Sequence, residues 1–278
     1  MTWHIGDIVV RRLEESVAIM EWDRLVPGAA KHVSSERPWI DPYVTANSEA
    51  LLLSIHSFVV QTPKNTIVVD TCIGPAQEGS LPGDAEFGER IARAFDQVLE
   101  SVDVVVCTHL HFDHVGWNTI ERDGEIVPLF PNARYLVSEA EFALERDAED
   151  TAAYDRSIAP LDEAGVLDVV ASNHRIDEWV SLESTPGHTP GHVSVRLRDG
   201  DHVGLITGDI VHSPIQLAYP KLSATSDADP PVAVATRRQV IAEALDSNLV
   251  LFGTHFPPPT AGWLRQTSEG VRFITTEC

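Results

Sequence analysis

The sequence predicts a mixed α/β fold in which apolar strands alternate with helices and deliver polar clusters to one sheet edge. Three observations carry that prediction. Runs such as Val102-Asp103-Val104-Val105-Val106-Cys107 are β-branched and read as fully buried strands. Helical spacing recurs between such runs, as at Phe87, Ile91, Phe95 and Leu99. Strand after strand ends in His or Asp: at Asp70, in residues 108–114, near His188, at Asp209 and at His255. A length of 278 residues suffices for one large α/β domain or two small ones. No internal repeat or linker divides it, so a single domain over residues 1–278 is expected.

Taken in order, residues 5–13 alternate well enough for a first strand. Residues 20–47 then read as a long irregular segment carrying Trp22, Pro27, Gly28, Pro38, Trp39, Pro42 and Tyr43. A loop of that length in a compact domain is usually functional or partly disordered. It is read as a flap, at about 20–49, bringing aromatic surface over a pocket; a surface meander patching the core or a dimer contact is the alternative. Residues 51–61 and 66–70 form a hairpin around Thr62-Pro63-Lys64-Asn65. Asp70 at its end would be costly to bury without a partner, and a hydrogen bond to the next cluster is the expected use. Residues 86–100 are predicted as a helix leading into the strand at residues 102–107.

The stretch Thr108-His109-Leu110-His111-Phe112-Asp113-His114 follows that strand directly. Alternate side chains share a face, so His109 and His111 can hold one cation while Asp113 and His114 turn towards a second. A merely solvated loop would crowd groups that repel on protonation. A strand at 132–137 follows. Ser138 then caps a helix over 139–147, with Glu141 completing a capping box. Residues 150–165 read as a helix and turn interrupted near Pro160. After strands at 166–170 and 179–184, the prolines and glycines of Thr185-Pro186-Gly187-His188-Thr189-Pro190-Gly191-His192 pin the backbone. His188 is expected as a ligand, and His192 as a core or supporting group opening the strand at 193–197.

The strand at 201–207 ends in Gly208-Asp209, where the carboxylate can bridge two cations. Residues 210–231, with His212 and Tyr219, read as a pocket-wall loop. A helix over 232–246, a strand at 249–252 ending near His255, and an edge strand at 273–275 complete the chain.

Composition narrows the function. Apolar residues make up 43% and charged residues 22%, as in an ordinary soluble protein, and no run is long enough to cross a bilayer. The start shows no secretory signal, and three widely spaced cysteines, Cys72, Cys107 and Cys278, argue against a disulfide framework. A cytoplasmic location is the expectation. A formal charge of −22, from 42 acidic against 20 basic residues, argues against nucleic acid as a partner.

Asp70, His109, His111, Asp113, His114, His188, Asp209 and His255, in that order, resemble the signature residues of the metallo-β-lactamase fold superfamily. They span residues 70–255. The resemblance implies an αββα sandwich, two mixed β-sheets face to face with helices outside. It implies that His109, His111 and His188 hold one metal, that Asp113, His114 and His255 hold a second, and that Asp209 bridges.

Diiron redox relatives place Glu at the second ligand position, whereas this chain keeps His111 and His114. Metallo-β-lactamases proper generally lack the bridging aspartate. Within the superfamily the chain is therefore most similar to the lactonase and organophosphate (aryl ester) hydrolase branch, which shares the His-Leu-His-x-Asp-His form and a His-Phe-Pro sequence, here His255-Phe256-Pro257. One departure stands out. Acyl-homoserine lactonases, the quorum-quenching members, carry tyrosine three residues after the bridging aspartate, and here His212 occupies that place with Tyr219 beyond it.

The resemblance implies a dinuclear zinc hydrolase of a lactone or carboxylic ester, acting through a metal-bridging hydroxide, with Asp113 and Asp209 as catalytic residues. Manganese, iron(II) or cobalt(II) are alternative metals. Thioester or organophosphate hydrolysis, or a mononuclear iron sulfur oxygenase, are the alternative activities. His212, Tyr219 and Trp39 are expected at a pocket for a small substrate with an apolar acyl or aryl part. A homodimer and no membrane partner are expected.

Overall fold

The computed structural model describes residues 1–74, 99–146 and 152–275. Its first half contains β1 (Thr2–Ile5), β2 (Ile8–Glu21), β3 (Ala50–Gln61), β4 (Thr66–Val69), β5 (Val104–Val106), β6 (Thr119–Arg122), β7 (Glu125–Pro128), β8 (Arg134–Ser138) and β9 (Leu167–Val170). Its second half contains β10 (Val180–Ser184), β11 (Val193–Asp199), β12 (His202–Ile206), β13 (Val250–Phe252), β14 (Ala261–Thr267) and β15 (Gly270–Thr275). Two large sheets result, ordered β1-β2-β3-β4-β5-β8-β9 and β10-β11-β12-β13-β14-β15, with β6-β7 as a separate hairpin. Both large sheets are mixed. The first turns from antiparallel to parallel at β4-β5, and the second has one parallel pair, β12-β13.

The sheets face each other across a core drawn from both. Ile67, Val69, Val104, Val106 and Leu136 of the first meet Val193, Val195, Leu197, Ile206 and Phe252 of the second. Phe252 anchors the seam, edge-on to Trp3 at 5.6 Å and to Phe58 at 5.8 Å. The alternate residues Val59, Val68, Val105 and Tyr135 point outward into a second cluster. Strands buried on both faces need unbroken apolar runs, which is why β5 reads Val-Val-Val. The helix Pro230–Asp246 closes the outer face of the second sheet, placing Val240, Ile241 and Ala244 in the same cluster as Leu251 and Leu264. This arrangement is an αββα sandwich.

Several elements differ from the sequence reading. The strand expected at 5–13 is a hairpin, β1-β2, turning at Gly6-Asp7, and β2 continues to Glu21. The segment after it is less irregular than expected. Short helices at Trp22–Leu25 and Ala30–Val33 follow at once, and Trp22 and Tyr43 are buried in the core. Those two aromatic side chains therefore pack inward.

The β6-β7 hairpin and β14 were not expected. The first has a plain signal in Asp123-Gly124, both left-handed at φ 54° and 84°, the conformation of a two-residue hairpin turn. The interruption expected near Pro160 falls at Ile158, between the helices Ala152–Ser157 and Ala159–Glu163, with Pro160 inside the first turn of the second. Of the helix expected over 86–100, residues 86–98 lie outside the described residues, and Leu99–Ser101 is a 3-10 turn. Cys72 and Cys107 are buried free thiols, while Cys278 lies outside the described residues. Among the described residues no helix is long and apolar enough to cross a membrane.

Candidate metal centre

The parallel strands β4 and β5 end side by side, and the loops leaving them build the centre. Asp70 follows β4 in a left-handed conformation, φ 57°, which Asp tolerates better than most residues. From there its carboxylate accepts three bonds: from Thr108 N–H at 2.8 Å, from the Thr108 hydroxyl at 2.9 Å, and from His114 Nδ1 at 2.9 Å. The turn after β5 is thereby tied to β4. His111 precedes a one-turn helix, Phe112–Val115, that swings Asp113 and His114 round to the same side.

The second sheet supplies the remainder. His188 stands in the turn after β10, Asp209 in the 3-10 turn Gly208–Ile210 after β12, and His255 beyond β13. Gly208 is required there. It adopts φ +56°, and a Cβ would lie 2.3 Å from His192 Nε2. That nitrogen accepts the Asp209 backbone N–H at 2.9 Å while Nδ1 donates to Thr185 O at 3.0 Å, so His192 supports the turn that carries Asp209.

The structure brings the seven expected side chains together. The ligand atoms of His109, His111 and His188 lie within 4.8 Å of one another, as do those of Asp113, His114 and His255. Asp209 lies between the two sets. Its Oδ2 is 3.5 Å from His188 Nε2, 3.9 Å from His109 Nε2 and 3.4 Å from His114 Nε2, and its Oδ1 is 3.1 Å from His255 Nε2.

The orientation of the rings fits metal ligation. His114 is held at Nδ1 by Asp70, His188 by Asp227 Oδ1 at 3.2 Å, His255 by Ser54 O at 2.9 Å, and His109 by the Thr108 hydroxyl at 3.1 Å. Each therefore presents Nε2 to the centre, the usual pattern of a histidine ligand braced from behind. His109 Nε2 and His114 Nε2 are buried and have no hydrogen-bond partner. Buried polar atoms of this kind are rare without a partner, and a cation supplies one. His188 Nε2 and His111 Nδ1 approach to 3.0 Å, near the roughly 3.3 Å separating two nitrogens tetrahedrally placed on one small cation. The donor set of five imidazoles and two carboxylates suits two divalent ions of borderline softness such as zinc.

Electrostatics divide the rings. Burial drives His109 well below the ordinary histidine value, helped by His114 and His111, and brings His111 down to about 4, helped by His188. Burial also brings His192 down to about 3. Burial would lower His114 and His255 too, but the carboxylates outweigh it: Asp209, Asp113 and Asp70 raise His114, and Asp209 and Asp113 raise His255. Burial favours a neutral Asp209, yet His255, His114 and His212 hold it well below the carboxylate range. Without a metal the centre accordingly favours neutral His109 and His111 beside an ionised Asp209, while His114 and His255 favour the protonated ring and would release that proton on ligation.

A cavity of about 180 Å³ opens on this cluster. His111, Asp113, Asp209, His212 and His255 form its polar end, and Ala18, Met20, Leu25, Leu53, Ile55, Ile73 and Phe112 its apolar wall. No Lys or Arg lines it among the described residues. Phe112 is 49% exposed and stands at the rim.

His212 was expected only as a pocket residue. It lines the cavity, but its Nε2 is also 3.2 Å from Asp209 Oδ2, and its ring stacks on His255 with centroids 5.7 Å apart. Trp39 and Tyr219, expected in the same pocket, do not line it. Both turn to the buried Glu36, Trp39 donating from Nε1 at 2.9 Å and Tyr219 from its hydroxyl at 2.6 Å, while Arg272 pairs with the same carboxylate at 2.8 Å. A buried carboxylate requires such donors, and it draws both polar tips away from the cavity.

Two supporting residues escaped the sequence reading. Glu141 does not complete the expected capping box. Its own N–H bonds the Ser138 hydroxyl at 3.3 Å, but its carboxylate accepts from Leu110 N–H at 3.1 Å and from the Thr189 hydroxyl at 2.7 Å, bridging the two ligand loops. Asp227, behind His188, carries no sequence signal.

Residues 51–263 match the profile of the Metallo-beta-lactamase superfamily, more than half of the chain. The chain belongs to that superfamily. It is 26% identical over 163 residues to the probable metallo-hydrolase YflN of Bacillus subtilis (strain 168), covering 54% of this chain and 56% of that protein. It is 26% identical over 164 residues to an N-acyl homoserine lactonase of Bacillus sp, covering 54% and 60%. The chain thus spans less than two thirds of the length of these curated relatives. Among solved structures of the superfamily, the hydrolase AbOPH superposes with a TM-score of 0.84 at 24% identity, covering 100% of this chain and 97% of that one. The dizinc quorum-quenching lactonase AidC, in complex with its product, superposes at 0.80 with 18% identity and the same coverage. These superpositions establish a shared fold.

Proposed function

We propose that this metallo-β-lactamase superfamily chain is a hydrolase whose seven-residue centre binds two divalent cations, zinc first, and that it cleaves a neutral lactone or carboxylic ester with an apolar acyl or aryl part. One observation carries the reading. The donor cluster opens directly into a cavity walled by Met20, Leu25, Leu53, Ile55, Ile73 and Phe112, with no Lys or Arg among the described lining residues. An anionic thioester such as those built on glutathione would have to enter without a lysine or arginine counter-charge in the cavity wall, in a chain of formal charge −22. A neutral acyl or aryl group meets a mainly apolar wall there.

When bound, the cations supply Lewis-acid polarisation of the scissile carbonyl and a water acidic enough to act as nucleophile near neutral pH. The side chains of the chain do the rest. His109, His111 and His188 are placed to hold one cation, Asp113, His114 and His255 the other, and Asp209 to bridge. Asp113 is the more open carboxylate, its side chain 16% exposed against 4% for Asp209, and it faces the cavity. It is positioned to accept the proton of the attacking water and return it to the leaving oxygen. His212, held neutral by burial, offers a ring N–H to the substrate carbonyl or leaving oxygen. The apolar wall excludes bulk water around the acyl part.

The test is a substrate panel on the metal-loaded protein: acyl lactones, aryl esters, glutathione thioesters, phosphotriesters and β-lactams, each with and without chelator. Chelator-sensitive turnover should be fastest on neutral lactones or esters. Turnover confined to anionic thioesters, or unaffected by metal removal, would reject the reading.

A further inference from the structure

The charged network behind His188, Asp227 and Arg237, does not line the cavity. Asp227 and His188 are both completely buried, side-chain exposure 0% for each, with Asp227 Oδ1 3.2 Å from His188 Nδ1. The other oxygen, Oδ2, accepts the Ala224 N–H at 2.9 Å and faces an Arg237 nitrogen at 3.6 Å. Arg237 is itself wholly buried in the helix Pro230–Asp246. Its guanidinium donates to Ile210 O at 2.7 Å, to Pro220 O at 3.0 Å and to Leu222 O at 2.8 Å.

Backbone pairing fixes this placement. Ala228 N–H bonds His188 O at 2.9 Å and Asp229 N–H bonds Gly187 O at 2.9 Å, so the strand of chain carrying Asp227 lies along the His188 turn. Asp229 then accepts the Val232 N–H at 3.1 Å and caps the helix that bears Arg237.

A buried ion pair is poor value as stabilisation alone, because well-packed apolar residues of similar volume serve as well. What it supplies here is direction. A proton on His188 Nδ1 donated to Asp227 leaves the lone pair of Nε2 aimed at Asp209 and His111. Arg237 neutralises that carboxylate and, through three carbonyls, grips the wall that carries His212. We infer that Asp227 is the positioning residue for His188, and that Arg237 anchors it and the pocket wall to one point. This inference rests on the two-cation reading of the centre.

The test uses the zinc-loaded full chain, following release of both equivalents to a competing chelator alongside thermal unfolding of the metal-stripped proteins. Asp227→Ala should weaken retention of one equivalent by about 10- to 100-fold and leave the other close to wild type. Asp227→Asn keeps only a neutral oxygen for the Nδ1–H and should recover part of that loss, leaving release of that equivalent several-fold faster than wild type. Arg237→Lys should lower the unfolding temperature of the stripped protein with a smaller effect on release. Wild-type release of both equivalents from Asp227→Ala, with only the unfolding temperature lowered, would overturn the inference. If the alanine variant does not fold, the asparagine variant decides: several-fold faster release of one equivalent supports the inference, and unchanged release of both overturns it. A wild-type protein that never holds two equivalents rejects the two-cation reading itself, a result distinct from either variant's behaviour.

Discussion

Replacing Asp70 by Asn should loosen the centre without changing its shape. Asn tolerates the left-handed φ of 57° and fills the same volume, so backbone strain stays out of the comparison. What changes is the bonding. Asp70 accepts from Thr108 N–H on one oxygen, and from the Thr108 hydroxyl and His114 Nδ1 on the other. The Thr108 hydroxyl can turn to accept from an amide. The other two donors cannot adapt: whichever way the Asn amide is placed, its NH2 faces either Thr108 N–H or His114 Nδ1–H. One buried donor loses its partner, and the other keeps a neutral acceptor in place of a charged one.

Losses of that kind cost about 2–3 kcal/mol. In its neutral form, the one that ligates, His114 can escape only by moving its proton to Nε2, which removes the lone pair that faces the centre. Equilibrium denaturation of the metal-stripped protein should therefore show Asp70→Asn less stable by about 2–3 kcal/mol, and metal retention should fall by at least about tenfold. Asp70→Ala should be worse, because it loses every acceptor and adds about 1–2 kcal/mol of left-handed strain. An asparagine variant within about 0.5 kcal/mol of wild type, with undiminished metal retention, would refute this account of Asp70.

Three further perturbations probe other parts of the account. Glu141→Met leaves the Leu110 N–H and the Thr189 hydroxyl without their acceptor; denaturation should register a loss of about 2–4 kcal/mol, since the hydroxyl can partly re-aim. Met20→Arg puts a cation on the apolar wall of the cavity. The ratio of kcat/KM for an anionic to a neutral ester of equal size should rise about tenfold, or about 1.4 kcal/mol, whereas an unchanged ratio would place the substrate elsewhere.

Acid should destabilise the metal-free protein through histidines held neutral by burial. His192 falls from its ordinary 6.5 to about 3, so its stabilising contribution is complete above pH 6.5 and is lost as the pH falls from there towards 3. The slope is about 1.4 kcal/mol per pH unit for each such histidine. His192→Gln, measured by denaturation between pH 6.5 and 4.5, should flatten the curve by that amount. The raised His114 and His255 act in a separate window. Their contribution is complete below pH 6.5 and lost as the pH rises through their folded values.

What the sequence could reveal was set by how each residue reaches the centre. His109, His111, Asp113 and His114 are neighbours on one turn, and Asp209 and His255 each follow an apolar strand, so pattern alone brings them to the sheet edge. Asp70 was legible for the same reason, an acid closing a buried strand. Supporting residues arriving from the side were not. Asp227 is one acid in Ser-Asp-Ala-Asp, and only the backbone pairing of 228 and 229 with the His188 turn selects it. Glu141 sat in a capping pattern three residues after Ser138, and the local signal concealed a tertiary use. The aromatic residues of both long segments mark buried surface without saying which. For Trp39 and Tyr219, Glu36 decides, and the cavity wall falls instead to aliphatic residues of β2 and β3.

The most direct measurement is a crystal structure of the protein grown with zinc, with anomalous data collected on both sides of the zinc absorption edge. The account predicts two anomalous peaks per chain, one among His109, His111 and His188 and one among Asp113, His114 and His255, with the Asp209 carboxylate between them. A single peak, peaks elsewhere on the surface, or none with those seven side chains still clustered would contradict it.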